Sequence, residues 1–474
     1  MARVTTGGRR GAIDPLKHSQ PLGGALVFLG LNRAMPLLHG SQGCTAFAKA
    51  LLTRHFGEPI PLQTTAVTEV TAVFGGGEAL VAGLDTIRAK QRPDVIGVLT
   101  TGLTEVSGED VLGELRKYLD GAGPDAPLIV GVSTPDFRGG LSDGWSAALE
   151  ALVQAIPLDP LDPARRAAGD AAGGAAGERR SEPEPLAVLA GPALTAADLD
   201  ELADLVRGFG LAPVPVPDLS GSLDGHLAAE WSPLTTGGTT LGDLRRLGEA
   251  GAVLVAGATA APAGDALAAR TGARVLRHPH LCGLARMDAL VAELMEHTGA
   301  PAPAQARRWR SRLADGLLDT HFVLGGVRVA IAGEPEQLVA TGSLLRDAGA
   351  EIVAAVSPTP APVLAEAPWD EIVVGDLADL DERAAEAGAE LIVASSHGRA
   401  IADRLGAAHL CLGFPVYDRL GPQLRGTAGY RGSLHLLLDA ANLLLDHRDR
   451  RGHHTPAFPP IGAVPLGDTT SPAN

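Results

Sequence analysis

Three side chains in this 474-residue chain could serve as soft-metal ligands or thiolate nucleophiles: Cys44, Cys282 and Cys411. Cys44 has the most suggestive surroundings. It ends the run His39-Gly40-Ser41-Gln42-Gly43-Cys44, with a helix-like stretch from Ala46 to Arg54 behind it. Amide dipoles at a helix start stabilise a thiolate, which suits a nucleophile or a soft-metal ligand. Three readings follow. Cys44 is a small buried residue packed as an apolar group, a nucleophile paired with His39 for which no orienting third group can be named, or a metal ligand. An iron–sulfur cluster takes four ligands, so a cluster bound here would draw the others from another chain.

The remaining candidates carry less. His278-Pro279-His280-Leu281-Cys282 places possible ligands two apart, as on one side of an extended strand, but matches no common zinc spacing. Cys411, in Leu410-Cys411-Leu412, reads as part of a buried strand, and His453-His454 reads as solvated tail. Gly75-Gly76-Gly77 lacks the spacing of a dinucleotide fingerprint, and the chain has no P-loop motif. Ser41 is not in a nucleophile elbow.

The elements that must position these groups alternate between short apolar runs and amphipathic helices. Strands are expected at 94–99 and 128–133 around a helical stretch at 109–119, then at 186–190, 212–216 and 252–256, with a helix at 195–208. Further strands are expected at 327–332, 351–356, 371–374 and 390–394, with helices at about 305–319, 335–348 and 433–446. This pattern predicts an α/β protein of three Rossmann-like αβα domains with mostly parallel sheets. The expected divisions are a first domain over 1–163, a flexible Ala/Gly-rich linker over 164–185, a second domain over 186–304, a third over 305–450, and a disordered tail over 451–474. Ligands in such sheets gather at the strands' carboxyl ends. Those ends carry Thr100-Thr101-Gly102, Ser133-Thr134-Pro135, Ser395-Ser396-His397 and Gly413-Phe414-Pro415, with no obvious acid–base pair, so no autonomous catalytic site is expected.

Composition narrows the function classes. The net charge of −16 argues against a nucleic-acid partner and against anionic-lipid binding. Only 3% of residues are aromatic, so the core must rest on Leu, Val, Ile and Ala. Three widely spaced cysteines are no disulfide framework, which points to a reducing cytoplasm. No secretory signal or membrane-spanning run is read at the N-terminus or elsewhere.

Pro15-Leu16-Lys17, Pro36 to Cys44, His55-Phe56, Pro59-Ile60-Pro61-Leu62 and Thr68-Glu69 form an ordered series. It continues through Val73-Phe74-Gly75-Gly76, Thr101 to Glu105, Gly108-Glu109-Asp110, Thr134-Pro135-Asp136-Phe137 and Asp319-Thr320-His321, then Gly413 to Arg419 and Gly429-Tyr430-Arg431-Gly432. From about residue 14 to 450 the chain resembles the nitrogenase component 1 superfamily, and within it the NifN family. The resemblance implies a subunit of a NifE–NifN scaffold, an α2β2 heterotetramer on which the nitrogenase iron–molybdenum cofactor is assembled from an iron–sulfur precursor held transiently by the complex. It further implies a [4Fe–4S] cluster at the subunit interface, with three cysteines from the NifE-type partner and one, matching Cys44, from this chain. The nitrogenase iron protein and carriers of precursor and cofactor would be transient partners.

The alternative within the superfamily is a catalytic β-type subunit of a two-component reductase. In the nitrogenase form of that subunit three cysteines hold half of an eight-iron cluster. Cys44 matches the first, but Leu62 and Gly102 stand at the other two, and Asp136 matches an assisting serine. Neither Leu62 nor Gly102 can ligate iron. Light-independent protochlorophyllide reductase resembles an aspartate-ligand pattern where this chain has Cys44. A sugar- or nucleotide-binding α/β protein would leave the Cys44 motif unexplained.

Overall fold

The computed structural model describes residues 2–7, 12–68, 71, 75–123, 125–158, 183–227 and 230–450. The tail over 451–474 and residues 164–182 of the expected linker lie outside the described residues, and Pro185 opens a strand. The first part of the chain contains β1 (Arg3–Thr6), α1 (Gln20–Leu29), β2 (Ala34–His39), α2 (Gln42–Phe56) and β3 (Gln63–Thr64). It continues with α3 (Gly77–Lys90), β4 (Val95–Thr100), α4 (Gly102–Ser107), α5 (Val111–Gly121), β5 (Leu128–Val132) and α6 (Leu141–Ala155). The middle part holds β6 (Pro185–Ala190), α7 (Ala196–Gly208), β7 (Ala212–Val216), α8 (Leu241–Arg246), β8 (Ala252–Ala256), α9 (Ala261–Thr271), β9 (Arg274–His278) and α10 (Leu284–Thr298). The last part holds α11 (Ala304–Leu324), β10 (Arg328–Ala332), α12 (Pro335–Asp347), β11 (Glu351–Ser357), β12 (Glu371–Val374), α13 (Leu377–Glu386), β13 (Leu391–Ala394), α14 (Arg399–Leu405), β14 (Ala408–Cys411) and α15 (Gly429–Arg450).

Three sheets form, and every strand pair in them is parallel. Their orders are β3-β2-β4-β5, β7-β6-β8-β9 and β1-β12-β11-β10-β13-β14. In β2, β4, β6 and β8 every residue is buried, as expected of strands covered on both faces. The fold is therefore the α/β architecture with parallel sheets expected from the sequence.

Residues 3–6, read from the sequence with the first domain, are instead an edge strand of the third sheet. Arg3 pairs with Glu371 and Thr6 with Val374. The segment that follows stays there: the Ile13 N–H donates to Asp376 Oδ2 at 2.6 Å, and Leu16 packs in an apolar cluster with Ala330, Val356 and Leu377. A four-residue strand at a sheet edge needs no long apolar run, so nothing in its sequence announced it.

Helix α1 buries all ten residues against α6 and the first sheet, which erases the amphipathic period that would mark a helix. Its approach to α6 needs Gly23 and Gly144: a Cβ on Gly23 would strike the Leu141 carbonyl, and one on Gly144 the Gln20 carbonyl. Strand β2 contains Pro36, which cannot donate to a ladder. Its neighbour β3 pairs only at Leu37 and Leu38, so Pro36 sits beyond that short pairing. One large apolar cluster runs through all three sheets, and Trp145 of α6 ties two of them by donating its indole N–H to the Ala190 carbonyl of β6 at 2.9 Å.

Candidate functional site

Loops leaving the carboxyl ends of β2, β4 and β5 lie side by side at one edge of the first sheet. Cys44 stands in the first turn of α2, whose N-cap is Ser41, and it is exposed, not buried as one reading of the sequence had it. The Ser41 side chain makes no cap bond to the helix backbone, and its hydroxyl lies 3.5 Å from the Cys44 sulfur. Gly43, just before the cysteine, has open space where a Cβ would be. Gly40 packs against the next loop so closely that a Cβ there would collide with Thr101.

His39 does not partner Cys44. Its ring is fully buried, with Nδ1 2.9 Å from Thr65 Oγ1 and Nε2 3.0 Å from Glu109 Oε2. Burial holds its pKa below the ordinary histidine value, and Glu109 only partly opposes this. The His39 carbonyl accepts from Thr101 Oγ1 at 3.0 Å and Thr104 Oγ1 at 3.1 Å, which locks the second loop to the end of β2. The histidine is thus a brace for the loops.

In the second loop, the Gly102 N–H donates to Asp136 Oδ2 of the third loop at 3.2 Å. The other Asp136 oxygen is buried with no partner among the described residues. Burial raises this carboxyl's pKa above the ordinary aspartate value, against the Gly102 N–H and nearby Lys17. Leu62 is 5% exposed and packs in the main core, so it offers nothing to this surface. The elements that leave these strand ends carry exposed apolar side chains: Phe47, three residues after Cys44 on α2, is 82% exposed, Val106 on α4 76%, and Phe137 on the third loop 56%. Phe47, in a chain with few aromatics, was the sequence signal for this surface that went unread. Glu69 lies outside the described residues.

The other two thiols are spent inside the protein. Cys282 donates to the Thr427 carbonyl at 3.2 Å, and burial drives its pKa far up. Its neighbours point to different partners: His278 Nε2 lies 3.1 Å from Glu293, and His280 Nδ1 accepts from the Cys282 N–H at 3.3 Å. Cys411, in β14, donates to Asp418 Oδ1 at 3.4 Å, and burial pushes its thiol up to about 11. His453 and His454 lie outside the described residues. Among the described residues, no three His, Cys, Asp or Glu side chains converge to hold a metal.

Two groups that the sequence reading passed over sit at the carboxyl end of β10. Glu334 accepts from Ser142 Oγ of α6 at 2.5 Å, and Glu336 accepts from the Thr259 N–H at 3.1 Å. Each fastens the third sheet's α12 to one of the other two units. Burial pushes both carboxyls up to about 7, with only hydrogen bonds opposing it. The Glu334-Pro335-Glu336 triplet directly after an apolar run was the signal that could have found them.

The model of the nitrogenase component 1 type oxidoreductase family matches residues 19–445. The nitrogenase iron-molybdenum cofactor biosynthesis protein NifN of Bradyrhizobium diazoefficiens is 41% identical over 459 residues, covering 96% of this chain and 94% of that protein. The protein of the same name from Klebsiella pneumoniae is 35% identical, covering 94% and 93%. Among solved structures, nitrogenase Cp1 at pH 6.5 superposes with a TM-score of 0.84 at 27% identity, covering 94% of this chain and 96% of that one. This chain belongs to the nitrogenase component 1 type oxidoreductase family and, within it, to the NifN proteins.

Proposed function

We propose that the chain is one subunit of a scaffold on which the nitrogenase iron–molybdenum cofactor is assembled, and that Cys44 supplies one ligand to a [4Fe–4S] cluster shared with a NifE-type partner. The observation that carries this reading is a lone exposed thiol in the first turn of α2, with exposed Phe47 three residues on and no second soft ligand near it among the described residues. A four-iron cluster needs four ligands, so this donor set fits a quarter share of one and nothing larger. Glycine at 102 and a core leucine at 62 fit the same count and leave no support for half of an eight-iron cluster.

When bound, such a cluster supplies one-electron transfer. This chain's own residues present the thiol, brace its loop through His39, Thr101 and Thr104, and offer an apolar rim that a partner subunit would cover and dry. The two glycines around Ser41, Gly40 and Gly43, keep the loop thin enough for a partner's ligands to approach. The complex would be an α2β2 heterotetramer in the cytoplasm, holding the iron–sulfur precursor transiently and meeting the nitrogenase iron protein and carrier proteins in turn.

The test is iron content and electron paramagnetic resonance of the chain co-purified anaerobically with its NifE-type partner, wild type against Cys44→Ala. Loss or alteration of the reduced four-iron signal, with the complex still assembled, is the expected result. An unchanged signal and iron count would remove Cys44 from the cluster and take the reading with it.

A further inference from the structure

A cavity of about 260 Å³ lies where the carboxyl ends of the three sheets meet. Loops after β6, β10 and β14 wall it, together with α1, the end of α2 and α6. Most of the wall is apolar, from Leu26, Leu141, Trp145, Leu194 and Phe414. We infer that this cavity binds a small organic molecule with an apolar body and a hydrogen-bond-donating head group, a hydroxyl or an amine.

The head group is read from the polar atoms in the wall. Gln423 is 6% exposed, and its Nε2 donates to the Phe56 carbonyl at 3.1 Å, while its Oε1 is buried without a partner among the described residues. A buried amide oxygen left unpaired is unfavourable, and a ligand donor would satisfy it. The unpaired Gln423 oxygen is therefore the acceptor that the wall offers a ligand.

Other ligand classes fit less well. Arg419 and Arg425 stand at the wall, but Arg419 lies 3.6 Å from Asp418 and Arg425 lies 2.6 Å from Asp439, so an anion would find both already paired. Cys411 also lines the cavity, but its thiol is committed to Asp418, so no ready thiolate faces a metal cluster. The volume is small by the standard of ligand pockets, which limits the occupant to a handful of non-hydrogen atoms. The site is independent of the cluster reading. Phe56, which faces it, is twelve residues along α2 from Cys44, about 18 Å at the helical rise.

Isothermal titration calorimetry of hexan-1-ol and of hexylamine into the full chain tests the inference, with dipropyl ether as a probe of similar size lacking a donor. At least one donor-bearing probe should bind saturably, about tenfold or more tighter than the ether. Gln423→Met keeps the side-chain length and removes the acceptor, and should weaken that binding about tenfold. Ala193→Trp, which fills the cavity from its wall, should abolish it. Absence of saturable binding to the wild type, equal binding of the ether, or binding unaffected by both variants would overturn the inference. Either variant alone decides the matter if the other does not fold.

Discussion

At the carboxyl edge of the first sheet, Cys44 is exposed, three residues before exposed Phe47 on the same helix. At the same edge of the third sheet, the Cys411 thiol donates a hydrogen bond to Asp418, which also accepts from Ser396 Oγ at 2.5 Å and from Arg399 Nε at 2.9 Å. Both edges are made of small turn-forming residues after short apolar strands. They differ in what covers them. At the third edge, the Phe414–Arg419 loop folds back, the Tyr417 N–H donates to Ser396 at 2.9 Å, and Ser396, Arg399 and Cys411 all find an internal partner in Asp418. At the first edge His39, Thr101 and Thr104 satisfy the backbone underneath, and the surface above is left apolar and unclosed. Chemistry available to a partner is found where internal pairing stops.

The sharpest way to break this contrast is thiol labelling of the native chain without a partner. Maleimide should modify Cys44 faster than Cys411, and more than about a thousandfold faster than Cys282, because reaching Cys282 requires opening a structure whose global stability is of order 5 kcal/mol or more. Comparable labelling of all three would erase the distinction.

The next largest effect concerns the carboxyls after β10. Glu334 and Glu336 have folded-state pKa values raised from about 4.5 to about 7, so the native chain holds protons there that the unfolded chain has released. Stability from these groups is fully present at and below pH 4.5, falls as pH rises through 7, and is constant above. Each raised value corresponds to up to about 3 kcal/mol across that window. Glu334→Gln, which mimics the protonated form, should gain melting temperature relative to wild type at pH 8 and show little difference at pH 5. A difference independent of pH would mean that Glu334 is not titrating in the seam.

Asp418→Ala should cost about 2 kcal/mol, since it strands Arg399 and removes the acceptor of Ser396 and Cys411, and denaturant unfolding would measure it. The smallest effect on stability is expected from Phe47→Ser, within about 0.5 kcal/mol because the ring touches solvent. Its yield of co-purified partner should nevertheless fall, and unchanged recovery would place the partner elsewhere.

The sequence carried the buried parallel strands well, because fully buried strands are uninterrupted apolar runs: β7, β8 and β12 fall on the expected residues, and β4, β5, β6, β10, β11 and β13 shift by a residue at one or both ends, whereas β3 and β9 were not expected. It did not carry α1, whose burial on all sides leaves no period, or β2, whose proline suggests an edge. Within the candidate site, the His39–Cys44 motif was legible as a glycine-thinned loop before a helix. Whether His39 faced Cys44 was not, since that depends on Thr65 and Glu109, which lie 26 and 70 residues further along the chain. The Glu334–Ser142 and Glu336–Thr259 contacts span 192 and 77 residues, and no local pattern encodes such pairings.

The strand at residues 3–6 has a consequence for biogenesis. It leaves the ribosome ahead of its partner at 371–374, which is made roughly 20 to 70 s later at ordinary elongation rates. Until then its edge has no native ladder to join, and the third sheet stays open on that side. Completion of this sheet therefore registers that synthesis has passed Cys411, the last residue of its last strand. A bulky N-terminal affinity tag would act on the last unit to close, while leaving the Cys44 loop free to form early.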